Sequence, residues 1–259
     1  MPKVMLVTGA SRGIGAATAR LAGRRGYAVV VNYLGRRDAA DAVVADIEKA
    51  GSRALAVQGD VADESAVKAL FATIDKAFGS LDVLVNNAGI LQRLARPEEI
   101  SKGRLERMFG VNVFGTILCA GEAVRRMSRR HGGKGGIIVN ISSISAYHGG
   151  PNDNIDYAAT KGAVDSLTWG LAKQVAAEGI RVNAVRPGMT YSEIHASLGE
   201  PDRVDRVAPT IPLGRGGKAG GNSRSRALAV LRRCNLLHRY DPRCARRPKP
   251  VARNGNDGR

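Results

Sequence analysis

From Lys3 to Arg186, short runs of β-branched and apolar residues alternate with longer stretches in which apolar positions recur every three or four residues. This pattern predicts strands at 3–8, 28–33, 53–58, 82–86, 136–141 and 180–186, and helices at 13–25, 37–50, 63–78, 103–130 and 156–178. Six strands in repeated β-α-β order leave little choice of architecture. Parallel neighbours need crossovers, crossovers are right-handed, and the connecting helices then cover both faces of one sheet. The expected fold is therefore α/β, a doubly wound parallel sheet of Rossmann-like type in a single domain. Ligands of such sheets bind at the carboxyl ends of the strands, where the strand order reverses.

At 259 residues with 44% apolar content, the chain is long enough for one large buried core. Its start, Met1-Pro2-Lys3-Val4, runs straight into an apolar strand, and no apolar run is long enough to span a bilayer, so the expected location is cytoplasmic and no membrane partner is expected. Cysteines at 119, 234 and 244 form neither a C-x-x-C pair nor a disulfide framework, and no histidine has a partner at metal-ligand spacing. No metal is expected, and any redox chemistry must come from an organic cofactor. The net charge of +17 raises nucleic-acid binding as a function class. More than half of that charge lies in residues 219–259, where eleven Lys/Arg face only Asp241 and Asp257. Only the tail supports nucleic acid as a partner, and it carries neither a recognition motif nor an aromatic platform.

Thr8-Gly9-Ala10-Ser11-Arg12-Gly13-Ile14-Gly15 joins the first strand to the first helix. Glycines there let the backbone turn tightly and approach a pyrophosphate, whose charge is drawn to the free N–H groups of the helix start. Where the second strand ends, a carboxylate would bind the adenosine ribose and select NAD. That position holds Tyr33, after Asn32, and no acid occurs before Asp38. Arg12, with Arg36 or Arg37, can instead supply a guanidinium fork for a 2′-phosphate, so NADP is favoured over NAD as cofactor. Solvent exposure at a helix start is the plainer account of Arg36 and Arg37.

Tyr157-Ala158-Ala159-Thr160-Lys161 places a phenol and an ammonium one helical turn apart, on one face. A bare Y-x-x-x-K is weak evidence. Here it follows Asn140-Ile141-Ser142-Ser143, a strand ending in hydroxyls, and comes after the glycine loop and Asn86-Asn87-Ala88-Gly89. Together these motifs, over roughly the first 215 residues, make the chain resemble the short-chain dehydrogenase/reductase family, nearest to glucose 1-dehydrogenase-like and 3-oxoacyl-carrier-protein reductase-like members. The resemblance implies an NAD(P)-dependent oxidoreductase acting on a small-molecule carbonyl or alcohol: a sugar, a polyol or a ketone. Such a reaction needs a proton at the substrate oxygen, and a nearby cation lowers a phenol's pKa from its usual ~10 toward the working range.

The resemblance further implies roles by position. Tyr157 is the general acid/base, Lys161 holds the nicotinamide ribose, and Ser143 binds the substrate oxygen, with Ser142 and Ser145 as alternatives. Asn112 is the family's helix-distorting asparagine, with a core or capping amide as the plainer reading. Cofactor contacts fall on Gly9, Ser11, Arg12, Gly13, Ile14 and Gly15, then on the adenine pair Asp60-Val61, and on Asn87, Ala88 and Gly89. Pro187-Gly188 and Ser192 would meet the carboxamide, with Thr190 competing for the last role. Tyr147 reads as a loop aromatic able to touch substrate, and His148 and His195 as surface or loop residues. The stretch 188–212 corresponds to the family's variable lid, so the substrate itself is not legible. The family forms homotetramers.

The resemblance stops near residue 218. The expected organisation is a dinucleotide-binding domain at 1–218 and an atypical, irregular basic tail at 219–259. Permitted codons for Gly220 through Arg247, read one base out of phase, can spell E-E-I-R-G-A-V-L-W-L-F-S-D-A-A-T-Y-F-T-G-T-I-L-D-V-R-G-G, the family's last helix and strand. The tail is thus expected to be a frameshift product, and an intact single reading frame in the source DNA would refute this. Loss of that helix and the seventh strand would expose a sheet edge, reducing the tetramer to a dimer, destabilising the chain, or leaving an inactive relative.

Overall fold

The computed structural model describes residues 2–151, 154–196 and 199–222; the basic tail beyond 222, with its expected frameshift, lies outside the described residues. Strands β1 (Val4–Val7), β2 (Ala28–Tyr33), β3 (Ala54–Gln58), β4 (Val83–Asn86), β5 (Gly136–Ile141) and β6 (Ile180–Val185) form one parallel sheet in the order β3-β2-β1-β4-β5-β6. The order reverses between β1 and β4, which places a ligand crevice above their carboxyl ends.

β1 and β2 are buried on both faces, as their unbroken apolar sequences require. Alternate residues feed two cores. Val4, Leu6 and Val30 face α3 (Glu64–Phe78) and α5 (Gly115–Met127), while Met5, Val7 and Val29 face α1 (Gly13–Gly23) and α2 (Arg37–Lys49). α3 begins where Asp63 accepts from the N–H groups of Ser65 and Ala66, and ends at Gly79 in the left-handed conformation.

The helix predicted at 63–78 ends where expected, the others end one to four residues earlier than predicted, and one prediction fails in kind. The single helix expected at 103–130 is α4 (Lys102–Phe109), a π-helical turn over Gly110–Phe114 and then α5. Inside the π turn, Asn112 bonds outward through its side chain: Oδ1 accepts from Ile90 N–H (2.8 Å) and Nδ2 donates to Ile90 O (3.1 Å). A side chain that ties to a neighbouring loop draws the helix one residue wide, as π-bulges at functional sites do. After β5 come a short helix α6 (Ser145–His148) and the 20-residue α7 (Ile155–Gln174). β7 (Thr190–Tyr191) then pairs with β8 (Gly217–Lys218), and Thr190 and Arg203, the first residue of α8 (Arg203–Val207), line the crevice.

Candidate active site

At the cofactor end, chain geometry demands glycine. Gly9 has φ +59°, and a Cβ there would stand 2.8 Å from Ala88 Cα; a Cβ on Gly15 would meet Asn87 Nδ2 at 2.4 Å. The loop is pinned from both sides. Thr8 Oγ1 accepts from the N–H groups of Asn87 and Ala88 (both 3.0 Å), and Asn87 Nδ2 donates to Thr8 O (2.8 Å) and Gly9 O (3.0 Å). Asn32, at the end of β2, accepts from Gly9 N–H (3.2 Å) and donates to Val57 O and Gly59 O. α1 starts at Arg12 without a side-chain cap, so its first N–H groups are left to an anion.

Arg12, Gly13, Ile14, Asn87, Gly89, Ser143, Tyr157, Lys161, Pro187, Gly188 and Ser192 all line one cleft of about 240 Å³. A second, more open cleft continues over Ser11, Arg12, Arg20 and Arg36. Arg36 forms a fork with Asp38 (3.0 and 2.8 Å), whose carboxyl it pulls down to about 2, and Arg37 meets Asp41 at 3.3 Å. Of the expected adenine pair, Asp60 accepts from Ala62 N–H and pairs with Arg107 (both 2.9 Å), while Val61 is buried against Gly115.

At the other end of the cleft, Tyr157 lies in the first turn of α7 with Lys161 one turn on. Lys161 Nζ sits 5.5 Å from the centroid of the Tyr157 ring and donates to Ile141 O (2.8 Å). Burial pushes the Lys161 pKa down to about 8, with Asp165 opposing that shift. Ser142 Oγ is turned away, donating to Lys161 O at 3.3 Å. Ser143 Oγ accepts from Ser145 N–H (3.1 Å), which leaves its own proton directed elsewhere. Asn112 Nδ2 donates to Thr160 Oγ1 (3.1 Å), beside Lys161, and Gly89 packs between Asn112 and Lys161. Below the site a buried polar ladder runs from Asn86 to Asn140 (3.0 Å) and on to Thr168 (2.9 Å), uniting β4, β5 and α7.

The outer wall departs from expectation. His195 is a buried wall residue of the cleft, 8% exposed, and not a surface residue; its Nε2 bonds Thr190 O at 2.9 Å, so Nε2 carries the proton. The sequence pointed away from it because an isolated histidine in a Gly- and Ser-rich stretch reads as loop surface. Arg203 and Asn154, also buried in this wall, carried no sequence signal. Thr190 Oγ1 donates to Gly188 O (2.9 Å), whereas Ser192 Cβ lies against Gly13. Tyr147 is 71% exposed. Among the described residues no group of three or more His, Cys, Asp or Glu side chains is arranged to hold a metal, and no helix is long and apolar enough to cross a membrane.

A nucleotide cradle and a Tyr–Lys pair facing one crevice at the sheet's switch point define a class, and the chain belongs to it: the short chain dehydrogenase family, whose model matches residues 3–203. It is an oxidoreductase of that family. Over 216 residues it is 51% identical to the uncharacterized oxidoreductase YgfF of Escherichia coli, covering 83% of this chain and 87% of that one. Over 223 residues it is 39% identical to the 3-oxoacyl-acyl-carrier-protein reductase FabG of Staphylococcus aureus, covering 84% and 86%. A short chain dehydrogenase from Burkholderia cenocepacia, solved in complex with NADP, superposes with a TM-score of 0.78 at 34% identity, over 88% of this chain and 89% of that one.

Proposed function

We propose that the protein interconverts a carbonyl and an alcohol on a small sugar, polyol or ketone, with NADP preferred over NAD. One observation carries the reading: Tyr157, Lys161 and Ser143 line the same cleft as the glycine loop. The residues fit a dinucleotide, because Arg12, Gly13 and Ile14 of the glycine loop line the cleft and the α1 N–H groups have no side-chain cap. When bound, the nicotinamide supplies or accepts the hydride. Lys161 holds the ribose next to that ring, and at neutral pH its cation, beside the Tyr157 ring, favours the phenolate. Tyr157 gives or takes the proton at the substrate oxygen, and Ser143 donates a hydrogen bond to that oxygen as charge gathers on it. Asn112 and the Asn87-Ala88-Gly89 turn hold Lys161 and the loop in register.

Arg12 and Arg36, both lining the outer cleft, support 2′-phosphate binding, and Tyr33 offers no carboxylate to repel it. The exposed side chains of Phe114 at the end of the π turn, Ile117 on α5 and Trp169 on α7 support a homo-oligomer, a tetramer or dimer. A cytoplasmic location goes with the cofactor. Domain 1–218 carries the whole function, and the 219–259 tail carries none of it. The test is a panel of sugars, polyols and ketones assayed with NADPH and NADH. Turnover of at least one carbonyl, faster with NADPH, is expected; cofactor binding with no turnover across the panel would sink the reading.

A further inference from the structure

α7 does not begin as helices usually do. Its N-cap, Asn154, makes no side-chain capping bond, although asparagine there normally accepts from an N–H of the first turn. Asn154 Oδ1 accepts instead from Arg104 Nη2 (3.2 Å), and the N–H of Tyr157 is taken by Asp156 Oδ1 (2.9 Å). Asp156 is in turn gripped by Arg104, Nε to Oδ2 at 2.6 Å and Nη2 to Oδ1 at 3.3 Å, and Arg104 Nη1 reaches Arg93 O at 2.6 Å. The Arg104 side chain is 12% exposed and that of Asp156 2%. Such a pair is a poor source of stability, because desolvation opposes its attraction, but it tolerates few geometries.

α4, which carries Arg104, runs directly into the π turn that carries Asn112. The same segment therefore grips α7 twice: Arg104 at Asn154 and Asp156, and Asn112 at Thr160, whose Oγ1 donates back to Tyr157 O at 2.7 Å. Tyr157 stands between the two grips. We propose that Arg104 is a positioning residue for the reaction: by holding Asn154 and Asp156, whose carboxylate accepts from the Tyr157 N–H, it fixes the first turn of α7, and with it the direction of the Tyr157 phenol and of Asn154 in the cleft wall. The inference rests on the reading of Tyr157 as the proton donor and acceptor.

The test uses the full chain and counts sites by NADPH fluorescence titration, so that misfolded protein is not scored as slow protein. Arg104→Met is expected to lower kcat per titrated site by about tenfold to a hundredfold, a range set by a misplaced proton-transfer group, with NADPH Kd within about twofold. Arg104→Lys, which keeps the charge and loses the fork, should recover part of that loss. Arg104→Met combined with Asp156→Asn removes both charges, so it folds even if the single variant does not, and its kcat per site should stay at least about tenfold down. Wild-type kcat per site in either Met variant overturns the proposal while leaving the role of Tyr157 intact. If the wild-type chain turns over no carbonyl, or Tyr157→Phe is as active as wild type, the reading of Tyr157 fails instead. Hydrogen exchange then decides the question for Arg104: exchange at 155–161 accelerated about tenfold by Arg104→Met, with 16–22 unchanged, upholds the clamp. Unchanged exchange at 155–161 overturns it.

Discussion

The two ends of the cleft are built differently. At the cofactor end, Thr8, Asn32 and Asn87 spend their side chains on backbone groups of the loop, and Gly9 and Gly15 approach neighbours more closely than any Cβ allows. At the outer wall, His195 keeps a buried Nδ1 with no hydrogen-bond partner among the described residues, and the wall is assembled from separate segments at 143–148, 154, 187–195 and 203. A surface that must fit one invariant nucleotide can be closed by backbone bonds. On the proposed function, the outer wall is the surface that selects the carbonyl, with the buried Nδ1 of His195 among its polar groups.

Several substitutions sharpen this contrast. The largest effect is expected from Lys161→Met at the junction of the two ends, with kcat falling about a thousandfold. The same change should stabilise the cofactor-free protein by about 1–2 kcal/mol at pH 7, because a buried ammonium with a lowered pKa costs the fold more than its bond to Ile141 O returns. The sign follows from the direction of the shift. The penalty is fully present below about 8, fades as pH rises toward the ordinary value of 10.5, and is gone above it, so the stability gap between variant and wild type should close over that interval. Denaturant melts of both proteins across this range measure it.

Thr8→Val deletes the one acceptor shared by two N–H groups of the Asn87-Ala88 turn and should cost about 2 kcal/mol in the same melts. A loss under about 0.5 kcal/mol would show that the cradle does not depend on these bonds. Arg36→Ala should have the smallest effect: NADPH Kd rising about three- to tenfold with NADH unchanged, since an exposed fork on a phosphate is screened by water. Equal change for both cofactors would remove Arg36 from the 2′-phosphate and return it to its pair with Asp38.

The same contrast explains what the sequence disclosed. The strands, their β-α-β succession and the glycine loop were legible because apolar period and the glycines a tight turn needs are written directly in residue types. Tyr157 and Lys161 were legible because one helical turn brings them to one face. The break at Gly110–Phe114 was not, since one extra residue in a turn hardly disturbs a helical period, and only the resemblance flagged Asn112. Arg104 and Asp156 were hidden for a different reason: a charged residue on an amphipathic helix reads as solvent face until a distant segment covers it. His195 and Arg203 belong to the wall through tertiary placement alone, which no local pattern encodes.

The central claim is that one cleft joins a nucleotide cradle to a separate proton-transfer pair. NADPH titration and carbonyl turnover of Gly15→Ala and Tyr157→Phe, side by side, test it most directly. The account predicts that Gly15→Ala weakens NADPH binding at least about tenfold, because its Cβ would overlap Asn87 Nδ2. Tyr157→Phe should bind NADPH within about twofold of wild type and turn over at least about a hundredfold more slowly. Unaltered NADPH affinity in Gly15→Ala, or undiminished turnover in Tyr157→Phe, would contradict it.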